Sequence, residues 1–301
     1  MNYYNEIKKE LINNEVYKKA KDYSKNKSDL STYYNVGKLL VEAQGGEKRA
    51  KYGDNLIKEY SKKLMIELDR KYSERNLRNM RHFYLKFKDE IWNAVRTELS
   101  WTHYRELLFI QDMNEINYYI NICINQNLSY RKLHDKIKSK EYQRLPEETK
   151  KKLIGKEETK INDFIKNPII IRNKYGYSVI SEKALKNLIL EDLDNFILEL
   201  GNGFTYVGNE YKIKIGNTYN YIDLLLFNYV YNAFVVVELK VTELRKEHIG
   251  QIEVYMNYID KNVKSINQDK TIGVIICKQD NKYVIKYCSD NRIISRKYEL
   301  V

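Results

Sequence analysis

Apolar and polar positions alternate in two different rhythms along this chain. Up to about residue 143, apolar side chains recur at three- and four-residue intervals, the mark of amphipathic helices. The pattern predicts helices over 5–22, 29–43, 55–69, 74–87, 101–111, 113–126 and 129–143. Gly45-Gly46 ends the second, and Ser73 and Ser129 stand where N-caps belong. No strand pattern and no internal repeat interrupts this half. From Leu145 to Asn167 the chain turns charged and irregular, bracketed by its prolines, Pro146 and Pro168. This stretch reads as a linker or a poorly packed helix. Beyond it a helix is predicted over 181–200, stopped by Gly201-Asn202-Gly203. Strand patterns follow at 204–208, 211–215, 219–227 and 233–240, then a helix at 246–260 and strands at 271–277 and 282–288. The expected organisation is α+β with two domains: a helical domain over 1–145, a linker over 146–169 and a compact α/β domain over 170–301.

The chemistry concentrates in 219–240. Two β-rich runs flank the short loop 228–232, which suits a hairpin. If Asn228 pairs with Ala233, the antiparallel register sets Asp223 opposite Glu238, and Lys240, two residues on, shares their face. Like charges opposed in a sheet are destabilising, and these lie among Val235, Val236, Val237, Leu224, Leu225 and Leu226. A hard divalent cation, Mg²⁺ or Mn²⁺, would relieve the repulsion and bring a water to be activated. Lys240 would orient that water or stabilise charge on a phosphate. The plainer alternative is that Glu238 and Lys240 end a strand at solvent while Asp223 caps a bend. A register shift of one residue would break the geometry.

In the helical half, 73–88 reads SERNLRNMRHFYLKFK, with Leu77, Met80, Tyr84 and Phe87 facing a core. Arg75, Arg78 and His82 cluster away from it, flanked by Arg81 and Lys86, as a recognition helix in a DNA groove would require. An ordinary amphipathic surface helix is the alternative. Trp92 and Trp101 read as packing residues. His82, His103, His134 and His248 form no metal-ligand cluster, and His248 is at most a phosphate contact.

The 301 residues suffice for two domains, and a hydrophobic content of 43% allows real cores. A formal net charge of +12 favours an anionic partner, either nucleic acid or an acidic membrane surface, or else a lysine-rich solubilising face. No apolar run approaches the ~18 residues of a membrane span, and no signal peptide is expected. Cys123, Cys277 and Cys288 form no CxxC pair, which suits a reducing cytoplasm and argues against zinc.

Asp223 followed by Glu238-Leu239-Lys240, within an αβββαβ order, resembles the PD-(D/E)XK nuclease superfamily. The stretches LELGNGFTYVGNEYKI (198–213), YIDLLLF and VVVELK, with LSWTHYRELL (99–108) and the helix from Tyr130 to Leu145, resemble the YhcG-type family within it. The resemblance implies a helix-turn-helix or winged-helix-like N-terminal domain and a restriction-endonuclease-like core. It implies a Mg²⁺-dependent phosphodiesterase acting on DNA in bacterial defence, restriction or repair. Asp223, Glu238 and the Leu239 carbonyl would be metal ligands, Lys240 the catalytic lysine and Gln251 an accessory group. Glu191 is the best match for a helix carboxylate at the metal, ahead of Glu182 and Glu199. The superfamily's proline is absent, since Ile222 precedes Asp223. An inactive DNA-binding or scaffold subunit, or a nuclease for RNA or branched DNA, are the alternatives. A double-strand cutter would be expected as a homodimer, and a larger restriction or defence complex is a further expected partner.

Overall fold

The computed structural model describes residues 3–20, 25–46, 54–88 and 98–301. The chain divides into two compact units, residues 1–139 and 140–301.

The first unit is built of α1 (Tyr3–Ala20), α2 (Lys25–Ala43), α3 (Asp54–Glu67), α4 (Glu74–Phe87), α5 (Trp101–Leu107), α6 (Met113–Asn125) and α7 (Tyr130–Lys138). Ile7 and Leu11 of α1, Val36 and Leu40 of α2, Ile57 and Leu64 of α3, and Leu77 and Met80 of α4 share one core. These are the three- and four-residue repeats of the sequence, turned inward. Gly37 permits the closest approach, because a Cβ there would stand 2.1 Å from the Met80 carbonyl oxygen. The buried side of α4 is Leu77, Met80, Phe83 and Phe87. Tyr84, expected inside, is only partly buried and meets Tyr34 edge-on. Helical periodicity allows either 83 or 84 on that side, and Phe83 takes it by packing on Trp101 and Tyr104. Trp101 thus sits in packing contacts, and Trp92 lies outside the described residues. Between α3 and α4, residues 68–73 hold a 3₁₀ turn at Arg70–Tyr72, longer than the ~3–4-residue turn of a helix-turn-helix. No strand occurs among the described residues of this unit, so no wing is seen there.

The second unit continues with α8 (Glu147–Gly155), α9 (Ile161–Phe164), β1 (Ile169–Ile171), α10 (Glu182–Glu191), α11 (Leu193–Leu200), β2 (Phe204–Ile215), β3 (Thr218–Asn228), β4 (Ala233–Glu243), α12 (Lys246–Asn262), β5 (Asp269–Gln279), α13 (Lys282–Lys286) and β6 (Ile293–Leu300). The strands form a six-stranded sheet in the order β1-β6-β5-β4-β3-β2. The β2–β3–β4 part is antiparallel, and β4, β5, β6 and β1 run parallel. Alternation sends Val235, Val237 and Leu239 to one core with α10 and α11. It sends Val236 to the other, with Leu225, Ile275, Cys277 and the α12 residues Ile252, Tyr255 and Met256.

Two expectations need correction. Within 282–288, Lys282–Lys286 form a short helix and none of the stretch is a strand. Asn281 accepts hydrogen bonds from the backbone of Tyr283 and Val284, and Val284, Ile285 and Cys288 pack on the α12 core at helical spacing. Residues 146–169 are no slack linker. Thr149 Oγ1 donates to the Asp163 carbonyl at 2.8 Å, and Ile161, Ile165 and Ile169 enter the core beside α10 and α11. Lys166 is 1% exposed, donates to the Glu199 carbonyl and lies 3.5 Å from Glu141. Glu199, one of the residues weighed as a metal carboxylate, instead takes the Arg144 guanidinium and the Ile170 N–H. The charged texture of 146–169 hid this because the core residues Ile161, Ile165 and Ile169 alternate with buried, ion-paired Asp163 and Lys166.

Removing one partner from such a buried network leaves an uncompensated charge, at a cost of about 3–5 kcal/mol. Glu199→Ala is expected to lower the unfolding free energy by about that much in urea titration, with Glu147→Ala, an exposed pair, near neutral.

Candidate active site

Two turns set the register of the candidate strands. Gly216, at φ 59°, makes a tight turn that pairs Ile215 with Thr218. The 229–232 loop pairs Asn228 with Ala233, the register expected from its length. From there the β3–β4 ladder runs to Leu224 opposite Val237 and ends. One step further, Asp223 and Glu238 face the opening. The N–H of Leu239 donates to Asp223 Oδ2 at 3.0 Å instead of to a strand carbonyl. In an extended strand a residue's N–H and C=O point to the same neighbour, so the Leu239 carbonyl faces this gap as well.

Glu238 is 2% exposed. Burial first, and then the Asp223 charge, push its pKa up to about 7, against the pull of Lys240. Lys240 Nζ lies 3.3 Å from Glu238 Oε2 and 3.9 Å from a carboxylate oxygen of Glu182. Glu238 Oε1 is buried without any hydrogen-bond partner. An orphaned carboxylate oxygen inside protein costs about 1–3 kcal/mol or more, and a bound cation would satisfy it. Among the described residues no cluster of three or more His, Cys, Asp or Glu side chains is gathered to hold a metal. The donor set that fits here is two carboxylates and a backbone carbonyl, all hard oxygen ligands suited to Mg²⁺ or Mn²⁺.

The candidate helix carboxylates stand at opposite ends of α10. Glu182, at the start of α10, reaches Lys240. Glu191 closes the other end of that helix, about 13 Å away at ~1.5 Å per residue, and its carboxylate accepts from the Tyr175 hydroxyl. Gln251 donates its amide to the Tyr255 hydroxyl at 3.1 Å, one turn along α12. His248 accepts the Arg245 N–H on Nδ1, which leaves Nε2 as a donor in the neutral ring. Burial and then Lys240 lower its pKa.

Sequence reasoning passed over two members. Lys186, one turn after Glu182, lies 2.8 Å from Glu210 and 3.5 Å from Asp223. Burial alone would lower its pKa, but the two carboxylates outweigh that and raise it. Glu210 falls opposite Asp223 in the β2–β3 register and adopts φ 47°. The Gly216 turn was the available signal for it.

The helix α4 residues separate. Lys86 is a structural group: its ammonium donates to the carbonyls of Leu108 (3.1 Å) and Ile110, just past α5, and burial lowers its pKa. Arg78 pairs with Glu74 at 2.9 Å. Arg81 Nε is buried without a partner. His82 is part-buried, and desolvation followed by Lys86 and Arg81 lowers its pKa, which disfavours the charged form. Arg75 is exposed and lines a cleft of about 360 Å³ with Lys71, Asn76, Asn79, Arg105 and Phe109. Phe109 is 67% exposed there.

Residues 162–300 match the YhcG PDDEXK nuclease domain, and residues 7–144 match the DUF1016 N-terminal domain. The chain thus joins a DUF1016 N-terminal domain to a YhcG PDDEXK nuclease domain. It is 26% identical over 310 aligned positions to a protein of Escherichia coli (strain K12) named "Putative nuclease YhcG", covering 90% of this chain and 83% of that one. Two solved structures share less. A repair endonuclease from Pyrococcus abyssi is 17% identical with a TM-score of 0.28, over 42% of this chain and 48% of that one. A complex of EndoMS with double-stranded DNA is 18% identical with a TM-score of 0.30, over 43% of this chain and 48% of that one. At these scores neither likeness bears on function, and the YhcG-type chain spans about half the length of each (48%). PDDEXK nucleases as a class work with divalent metals. No helix among the described residues is long and apolar enough to cross a membrane.

The raised Glu238 pKa has a sign that can be measured. The folded chain holds this proton more tightly than the unfolded one, whose ordinary value is 4.5. The metal-free stability it contributes is full below about pH 4.5 and is lost as pH rises through about 7. In EDTA, Glu238→Gln is expected to gain about 2 kcal/mol on the wild type between pH 5 and pH 8 in urea titrations. A difference that stays constant with pH would show that the carboxyl is not held protonated.

Proposed function

We propose that this YhcG-type chain is a metal-dependent DNA endonuclease. The observation that carries the reading is the buried, unsatisfied Glu238 oxygen beside Asp223 and Lys240, at the point where the β3–β4 ladder opens. Asp223, Glu238 and the Leu239 carbonyl would hold one divalent cation, which when bound polarises a phosphodiester and lowers the pKa of its water. Lys240 is already desolvated and anchored between Glu238 and Glu182, so its ammonium is preorganised for charge developing on the phosphate. Glu182 positions it from α10. Gln251, with Tyr255, would contact the phosphate or water from α12.

The +12 charge and the cleft on the helical unit support DNA as the substrate. Arg75 and Arg105 would neutralise phosphates there, while the amides of Asn76 and Asn79 and the Phe109 ring line the same space. Asn76 is partly committed, since it accepts from Trp101 Nε1 and donates to the Lys71 carbonyl. This shifts the contact surface from the middle of α4 to its start.

Cleavage of supercoiled, linear, single-stranded and branched DNA and of structured RNA, each with Mg²⁺ or Mn²⁺ and with EDTA, tests the reading. DNA cutting that requires the metal is expected. Glu238→Ala and Lys240→Ala are each expected to reduce it at least 100-fold with DNA affinity within about twofold of wild type. Full activity in both variants would refute the site, and RNA cutting alone would refute the substrate. Arg75→Ala/Arg105→Ala is expected to weaken duplex binding about tenfold and to reduce the slope of log K against log salt by about 2. An unchanged slope would place the DNA elsewhere.

A further inference from the structure

The candidate site brings carboxylates and ammonium groups together in two linked pairs. Lys240 sits between Glu238 and Glu182, and Lys186 sits between Asp223 and Glu210. Lys186 comes from α10 and Lys240 from β4. The four carboxylates outnumber the two ammonium groups whether or not Glu238 carries its proton, so the cluster keeps a negative excess that a cation would reduce.

Lys186 is the unusual member. Its side chain is only 14% exposed, and it approaches an oxygen of Asp223 that a cation would need. A divalent ion bound at ~2.1 Å from that carboxylate and an ammonium at hydrogen-bond distance repel each other strongly in a part-buried setting. Lys186 has somewhere else to go. Glu210 is 62% exposed at its side chain, already makes the shorter contact at 2.8 Å, and stands on the edge strand β2. It is held there by a left-handed backbone, φ 47°, which a non-glycine residue adopts at a cost of about 1–3 kcal/mol. A flexible lysine stem can move between the two oxygens by side-chain rotation alone.

We infer that Lys186 is a resident counter-ion of the metal site: it neutralises Asp223 while the site is metal-free and withdraws onto Glu210 when a divalent cation takes Asp223. This rests on the assignment of Asp223 and Glu238 as ligands made above. Lys186 is a positioning residue here, acting on the metal through Asp223, and Glu210 acts only through Lys186. The arrangement protects a charged, partly buried site from collapse before loading, and it sets how tightly the metal is held.

The test uses Mn²⁺ alone, titrated into the full metal-stripped chain without DNA, with free Mn²⁺ read by electron paramagnetic resonance. Lys186→Met keeps the apolar stem and removes the charge, and it is expected to bind Mn²⁺ about tenfold more tightly than wild type. Glu210→Gln, which removes the berth, is expected to bind several-fold more weakly. The double variant is expected to match Lys186→Met. A lysine with a merely structural role would give the opposite sign, with weaker binding on its removal, and that result or an unchanged affinity in a variant with a wild-type melting curve overturns the inference. Weakening by Glu210→Gln that persists in the Lys186→Met background makes Glu210 a ligand and overturns its role as a berth. Asp223→Ala separates the levels: if it binds Mn²⁺ as well as wild type, the metal assignment itself has failed, whatever Lys186 does.

Discussion

The second unit is organised around a repulsion that the fold creates and does not itself resolve. Asp223 and Glu238 are carried on adjacent strands to the point where those strands part, and Glu238 is almost fully buried there. The chain relieves part of the cost by raising the Glu238 pKa, by laying Lys240 against it and by bringing Lys186 to Asp223. One Glu238 oxygen is still left without a donor. Buried polar atoms in folded proteins are nearly always satisfied, so an exception beside paired carboxylates is where a ligand is to be sought.

The scaffold holds this arrangement by ordinary means. Val235, Val236, Val237 and Leu239 lock β4 between helices on both faces, and the parallel neighbour β5 pairs with β4 along the same stretch, from Val235 through Lys240. Glu238 and Lys240 therefore sit on a strand with little freedom to relax. The groups around them come from more exposed positions: Glu182, at a helix start, reaches Lys240, and Glu210, on the edge strand, holds the Lys186 that approaches Asp223. Preorganised charges on rigid strands, met by adjustable ones from the periphery, is the combination that a loading-dependent site requires.

In the helical unit the charges tell a different story. Arginines, a histidine and a lysine along α4 look alike in sequence, but packing sorts them. Lys86 is consumed by carbonyls past α5, Arg78 by its own helix, and the charge of His82 is disfavoured by burial. Arg75 remains exposed and joins Arg105, a residue from another helix that no local pattern links to it. A helical wheel assigns a side but cannot say which neighbouring element arrives on it.

The sequence by itself determined the described helices of the first half, the β3 and β4 strands and the hairpin register that carries Asp223 and Glu238 to its open end. Each follows from a local rule: the 3.6-residue period, the two-residue period, and a loop length that sets register over the few residues between the turn and the site. Only the tertiary structure decided that Glu182 and not Glu191 faces Lys240, that Lys186 and Glu210 join Asp223, and that 146–169 is packed. Those outcomes depend on how a helix is rotated and slid against a sheet and on buried ion pairs that carry no apolar signature. Such terms belong to contacts between residues far apart in the chain, and no spacing along it encodes them.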